Sequence, residues 1–156
     1  MPGKDRKEVA SDGLKLSAPT ADALDSDYFE LRWRVLREPW KQPRGSERDS
    51  LDGTAFHLVI RTPEGKPVAI GRLHVNSPAE AQVRFMAVDP AWRNRGLGGR
   101  ILRGLEDQAR ARRVADIVLN AREDASEFYL AHGYQVEGPG ETLFDKVRHV
   151  RMRKNL

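Results

Sequence analysis

The period of the apolar positions changes several times along the chain, and each change marks an element. Leu14 and Leu16 alternate with Lys15 and Ser17, which predicts a short first strand. Phe29, Trp33 and Leu36 then recur at helical spacing, with Leu31 and Val35 beside them. This predicts an amphipathic helix capped by Asp25 or Ser26 and ended by Pro39, because a residue before proline avoids helical backbone. Trp40 to Ser50 is polar, with Pro43 and Gly45, and reads as a loop. Three strand-like runs follow: Phe56 to Arg61, Val68 to His74 and Gln82 to Asp89. Pro63, Glu64, Gly65 and Lys66 supply hairpin-turn chemistry between the first two. Pro90 closes the third, since proline cannot donate to a central ladder.

Beyond a glycine-rich stretch the helical period returns. Leu97, Ile101, Leu105 and Ala109 share one face with Leu102 beside it, and the arginines face elsewhere. Ile117, Val118 and Leu119 form a short continuous apolar run, as a strand buried on both faces shows. Asp124 and Glu127 have capping-box spacing for a third short helix, with Gly133 as its stop. Tyr134 to Glu137 and Val147 to Arg153 read as closing strands separated by Gly138, Pro139 and Gly140. Adjacent strands favour antiparallel pairing, and the strand–helix–strand step through residues 82–120 favours a parallel pair. The expectation is one mixed α/β (α+β) sheet with helices packed on it. Residues 1–13, rich in Lys, Asp, Glu and Gly, are expected to form a flexible leader before a single domain over 14–156.

Composition narrows the classes. No apolar run approaches the ~20 residues that cross a bilayer, so no membrane association is expected. The absence of cysteine excludes disulfides, thiolate catalysis and cysteine-bound metal. It agrees with an expected cytoplasmic location, as does the polar start from Met1 to Ala10. The net charge of +4 points to an anionic partner. Nucleic acid is not expected, because the basic residues crowd between Arg93 and Arg113 and no nucleic-acid motif accompanies them.

That crowding contains the sharpest feature: Arg93, Asn94, Arg95, Gly96, Leu97, Gly98, Gly99 and Arg100, after a strand and at the start of a helix. Glycines let backbone N–H groups turn inward, and the helix dipole adds positive potential, which together bind phosphate oxygens. A P-loop would need Gly-Lys-Ser/Thr, which is missing, and a dinucleotide fingerprint would need a third glycine where Ile101 stands.

The spacing Arg-x-x-Gly-x-Gly after Met86-Ala87-Val88-Asp89-Pro90 resembles the pyrophosphate-binding motif of the GNAT superfamily of N-acetyltransferases. Leu119 to Arg122, Ala125 and Phe128 to Tyr134 are similar to that superfamily's second half. Leu31 to Trp40 and His149 to Met152 resemble an ElaA-like bacterial subgroup. The superfamily likeness covers residues 54–137, and the subgroup likeness extends it from 28 to the end. It implies a mostly antiparallel sheet of six to seven strands, helices on both faces and a parallel pair at the cofactor cleft. It also implies transfer of the acetyl group of acetyl-CoA to a primary amine by direct attack in a ternary complex. The acceptor would be a small molecule or peptide, no metal would be needed, and a homodimer is a family-level expectation. A non-catalytic acetyl-CoA-binding or partner-binding module on the same fold is the alternative.

Residue by residue, the resemblance assigns cofactor contacts to Met86, Ala87, Val88, Arg93 to Arg100, Asn120 and Tyr129. A backbone N–H of Ala87 or Val88 would hold the thioester carbonyl where the strand splays from its neighbour. Tyr129 would be the general acid for the departing thiolate; otherwise it is a core tyrosine beside Phe128. Asn120 would contact the pantetheine arm or an ordered water, or serve as a turn residue. For the base that takes the amine's proton, Glu38 ranks before Glu30 and Glu123, against a plain solvated helix end for Glu38. The four histidines read as structural, with His149 of most interest because it lies in the subgroup-like ending. Trp33 reads as core and Trp40 as pocket or loop anchor.

Overall fold

Leu58, Val59 and Ile60 are consecutive and all buried. Successive strand residues face opposite sides, so both faces of this sheet carry a core. The computed structural model describes Glu8, Val9 and residues 12–156. Its elements are β1 (Glu8–Val9), β2 (Lys15–Ser17), α1 (Ser26–Leu36), β3 (Phe56–Arg61), β4 (Pro67–Ser77) and β5 (Glu80–Val88). Then come α2 (Leu97–Ala111), β6 (Asp116–Arg122), α3 (Ser126–Ala131), β7 (Gln135–Leu143) and β8 (Val147–Asn155). The strands form one sheet in the order β1-β2-β3-β4-β5-β6-β8-β7. Among the described strands only β5 and β6 pair in parallel; every other neighbouring pair is antiparallel. The expected mixed, mostly antiparallel fold is therefore the one observed, with two-residue β1 added at the edge. The leader expected over residues 1–13 falls largely outside the described residues. None of the described helices is long and apolar enough to cross a membrane.

Tyr28, Phe29, Leu31 and Val35 of α1 pack on Val59, Ile70 and Ala87. On the other face Leu97, Ile101, Leu102, Leu105 and Ala109 of α2 pack on Leu58, Ile60, Ala69 and Leu73. The α2 contact is close because two glycines allow it. A Cβ on Gly71 would stand 2.5 Å from Ile101 Cγ2, and one on Gly104 would stand 2.6 Å from Leu58 Cδ1.

Three sequence expectations are corrected here. The inner face of α1 includes Tyr28 and Arg32, while Trp33 is only half-buried. Trp33 instead donates from Nε1 to Gln42 C=O at 3.0 Å, and Arg44 stacks on its ring at 4.0 Å. Arg32 sits inside because Asp52 neutralises it at 3.0 Å and also takes Arg72 at 2.8 Å. Apolar periodicity cannot reveal a buried arginine. The capping box at Asp124 does not form: Asp124 is held by Arg122 at 2.7 Å, and Ala125 stands at the N-cap of α3. Gly138 to Gly140 do not separate strands; they lie inside β7 and break its register with β8.

Candidate active site

The parallel pairing of β5 with β6 covers only Glu80↔Asp116, Ala81↔Ile117 and Gln82↔Val118. Beyond it both strands run on, to Val88 and Arg122, without pairing. The pair therefore opens as a V. A bulge in β5 accompanies the opening: the register with β4 shifts between Ile70 and Arg72, and Phe85 takes the left-handed region at φ 59. Bulges increase twist and turn a strand from its neighbour. The V is a cleft of about 780 Å³, within the 300–1,000 Å³ usual for small-ligand sites.

The ladder decides which β5 amides face this cleft. Asp89 N–H donates to Val68 C=O at 2.8 Å, one residue past the Val88↔Ala69 pair. In an antiparallel ladder Val88↔Ala69 is then a non-hydrogen-bonded pair and Ala87↔Ile70 a hydrogen-bonded one. Ala87 N–H is spent on β4. Val88 N–H turns to the open side, and strand alternation turns Met86 N–H with it. Of the two amides expected to serve, geometry retains Val88 and adds Met86.

At the mouth, Asn94 and Gly96 have φ of 64 and 77, a nest-forming backbone. Gly96 is the N-cap of α2 and offers no side-chain acceptor. The first intrahelical bond runs from Arg100 N–H to Gly96 C=O at 3.1 Å. The N–H groups of Leu97, Gly98 and Gly99 are thus left for an external acceptor. Larger side chains would crowd that cradle: a Cβ on Gly98 would meet Phe128 at 3.3 Å, and one on Gly99 would meet His132 Nε2 and Arg103 at 3.1 Å. Arg93 and Asn94 line the cleft with these glycines, whereas Arg95 and Arg100 are absent from its lining. Arg95 lies over the Trp92 ring at 4.6 Å.

Tyr129 and Asn120 line the same cleft from α3 and β6. Tyr129 is 9 % exposed and packs edge-on against Phe128 and Tyr134, 5.0 and 5.9 Å away. Burial alone pushes its phenol well above the ordinary tyrosine range, so it holds its proton. The carboxylates are distributed otherwise than expected. Glu38 is exposed and not part of the lining. Glu30 pairs with Arg44 on the surface, and Glu123 is not part of the lining. Glu141 and His149, from the β7–β8 hairpin, do line it. His149 Nδ1–H donates to Val147 C=O at 3.0 Å, which leaves its Nε2 as the basic nitrogen.

The acetyltransferase (GNAT) domain family matches residues 37–156. The chain belongs to the GNAT acetyltransferase family. An uncharacterized N-acetyltransferase of Bacillus subtilis, YjcF, is 31% identical over 129 residues, 83% of this chain and 91% of that protein. Two solved structures share the GNAT fold with this chain. Escherichia coli ElaA has a TM-score of 0.75 and 17% identity, covering 90% of this chain and 99% of its own. A GNAT family acetyltransferase from Elizabethkingia anophelis with acetyl-CoA bound has a TM-score of 0.75 and 12% identity, covering 94% of this chain and 100% of its own.

The GNAT cleft also has walls that no sequence motif marks. Arg37, Arg84, Phe85, Glu141 and Phe144 line its inner end. Arg84 fell inside a predicted strand and Arg37 at a predicted helix end, where charges usually face water. Only the bulge at Phe85 and the return of the β7–β8 hairpin bring them together. No cluster of three or more metal-ligating side chains stands together among the described residues.

Proposed function

We propose that this protein is an acetyl-CoA-dependent N-acetyltransferase acting on a primary amine in the cytoplasm, by direct attack in a ternary complex. The observation that carries this is the V between β5 and β6, with free helix N–H groups at its mouth and a protonated phenol inside. Acetyl-CoA would supply an activated acyl carbon. The N–H groups of Leu97, Gly98 and Gly99, with Arg93, would hold its pyrophosphate. Val88 and Met86 N–H groups would hold the arm and the thioester carbonyl oxygen, in place of a missing sheet partner. Asn120, on the facing strand, would orient the arm. Tyr129 would deliver its proton to the leaving sulfur. His149, through Nε2, is better placed than Glu38 to receive the amine's proton, directly or through water.

Thermal unfolding with and without acetyl-CoA tests the cofactor reading. At a hundred times its dissociation constant the ligand should add about 2.7 kcal/mol, which is roughly 5–10 °C for a chain of this size. Arg93→Glu, at an exposed position, should shrink the shift without lowering the unliganded midpoint. His149→Gln should keep the shift and lower kcat; an unchanged kcat would return proton removal to bulk water. A normal shift with no turnover of any amine would favour the non-catalytic module.

A further inference from the structure

The inner end of the cleft is cationic, beyond anything pyrophosphate binding requires. Four guanidinium groups surround the Phe85 ring: Arg32 at 4.2 Å, Arg84 at 4.5 Å, Arg72 at 4.8 Å and Arg37 at 5.6 Å from its centre. Asp52 and Asp49 serve three of them. Asp52 takes Arg32 and Arg72, and Asp49 takes Arg72 and Arg84. Arg37 has no carboxylate at ion-pair distance among the described residues. Its Nε donates to Ser46 C=O at 3.0 Å and its Nη1 to Leu36 C=O at 3.1 Å, which uses neutral acceptors only. Arg37 is nevertheless 8 % exposed and lines the cleft, with its guanidinium 5.4 Å from the Phe144 ring centre on the other side. Buried charges are normally paired, because an isolated one loses hydration without compensation. Glu47 is close enough to act on Arg37, but its own oxygens are taken by Gly45 N–H and Arg48 Nε. Glu141 faces it from β7 as an exposed carboxylate. The remaining guanidinium surface, with half-exposed Arg84, forms a two-armed anion site.

Its position specifies whose anion it takes. The turn that would hold pyrophosphate follows the C-terminal end of β5 at Val88, whereas Phe85 lies within the strand before that end. Arg84 and Phe85 directly precede Met86, whose N–H would hold the arm or the acyl oxygen. An anion held there belongs to the other substrate. Resting on the acetyl-CoA reading, the geometry points to an acceptor whose amine is accompanied by a carboxylate a few bonds away, an amino acid rather than a polyamine or other plain cation. Two guanidiniums suit a carboxylate because their paired N–H groups match its two oxygens. The same positive surroundings disfavour the ammonium form of the incoming amine, which helps it lose its proton before attack.

The test compares twins. The protein amino acids and 4-aminobutyrate are each assayed against their carboxamides, with acetyl-CoA, by the release of free thiol. Binding of the matching N-acetyl acids and N-acetyl amides to the CoA-bound protein is measured by calorimetry, which needs no turnover. At least one acid is expected to exceed its amide about tenfold or more in kcat/KM, chiefly through KM, with the same order in binding. Arg84→Gln should bring that ratio close to one, and Arg84→Lys should restore part of it. The acetyl-CoA melting shift should persist in both variants. Arg84 is chosen before Arg37 because Arg37 also clamps the Ser46 loop. Equal use of acids and amides overturns the proposal. So does failure of every acid and amide to bind or react while acetyl-CoA still raises the midpoint. If acetyl-CoA itself leaves the midpoint unmoved, the cofactor reading fails first and this inference falls with it.

Discussion

Tyr129 belongs to the core and to the wall of the cleft together. Its ring is packed against Phe128 and Tyr134 while it lines the cleft. Removal of the hydroxyl alone separates the two roles. Tyr129→Phe should keep the unfolding midpoint within about 4 °C, since the ring contacts stay and a ΔΔG below ~1 kcal/mol moves it no further. It should lower kcat by about a hundredfold, the lower range for loss of a positioned acid, with little change in KM for acetyl-CoA. Steady-state kinetics read this directly, and a kcat within about threefold of wild type would assign Tyr129 to packing. Because burial pushes its phenol upward, deprotonation of Tyr129 should add no alkaline limb in the neutral range.

At the scale of elements, the cleft depends on how closely α2 lies on the sheet. Gly71 of β4 makes room for it: a Cβ there would stand 2.5 Å from Ile101 Cγ2, 2.9 Å from Met86 Sδ and 3.1 Å from Leu105 Cδ1. Met86 can swing aside, but Ile101 and Leu105 belong to the helix that presents the free N–H groups of Leu97, Gly98 and Gly99. Gly71→Ala should therefore cost about 1–3 kcal/mol of overpacking, a midpoint drop of roughly 2–12 °C by calorimetry. It should also weaken the stabilisation by acetyl-CoA, since a displaced α2 carries Gly98 and Gly99 with it. An unchanged midpoint would mean that the helix yields without cost.

At the scale of the molecule, α1, the 41–55 loop and the sheet are joined by a buried polar cluster. His57 Nε2–H donates to Asp52 C=O at 2.9 Å, so its Nδ1 accepts the Tyr28 hydroxyl at 2.8 Å. Arg32 Nη2 donates to the same hydroxyl at 3.3 Å. Burial, then the Arg32 charge, holds His57 below its ordinary value. His74 is lowered in the same way by burial and Arg72. As pH falls below ~6.5, the unfolded chain takes up protons that the folded one refuses, so stability is lost in that direction. The carboxyl groups of Asp49 and Asp52 extend the loss toward acid: against the effect of burial, Asp52 is kept low by the Asp49 N–H and then Arg32 and Arg72, and Asp49 by Arg72. Midpoints measured from pH 8 down to 5 should fall below ~6.5, and His57→Gln should flatten the slope by up to about one proton per molecule. A flat wild-type profile over that range would show that these groups titrate alike folded and unfolded.

Apolar period and turn chemistry were enough to place β3, most of β4 and β5, α2 with its inner face, β6 and the Gly96–Gly99 cradle. These depend on local spacing, which a linear chain displays. The same information determined the mixed sheet, because one strand–helix–strand step among hairpins leaves few alternatives. What it left undecided is long-range. The parallel pairing that stops at Gln82 and Val118, the left-handed Phe85, and the selection of Val88 and Met86 over Ala87 depend on register between strands distant in sequence. Glu38, plausible beside Pro39, ended outside the cleft, while Glu141 and His149 entered it from a hairpin whose β8 lies between β6 and β7. Arg32, Arg37 and Arg72 carry no apolar signal, yet all are buried, because partners from residues 46 to 52 reach them only in the folded chain. Burial of charge depends on which partners the fold brings within a few ångströms, and that is decided by tertiary structure alone.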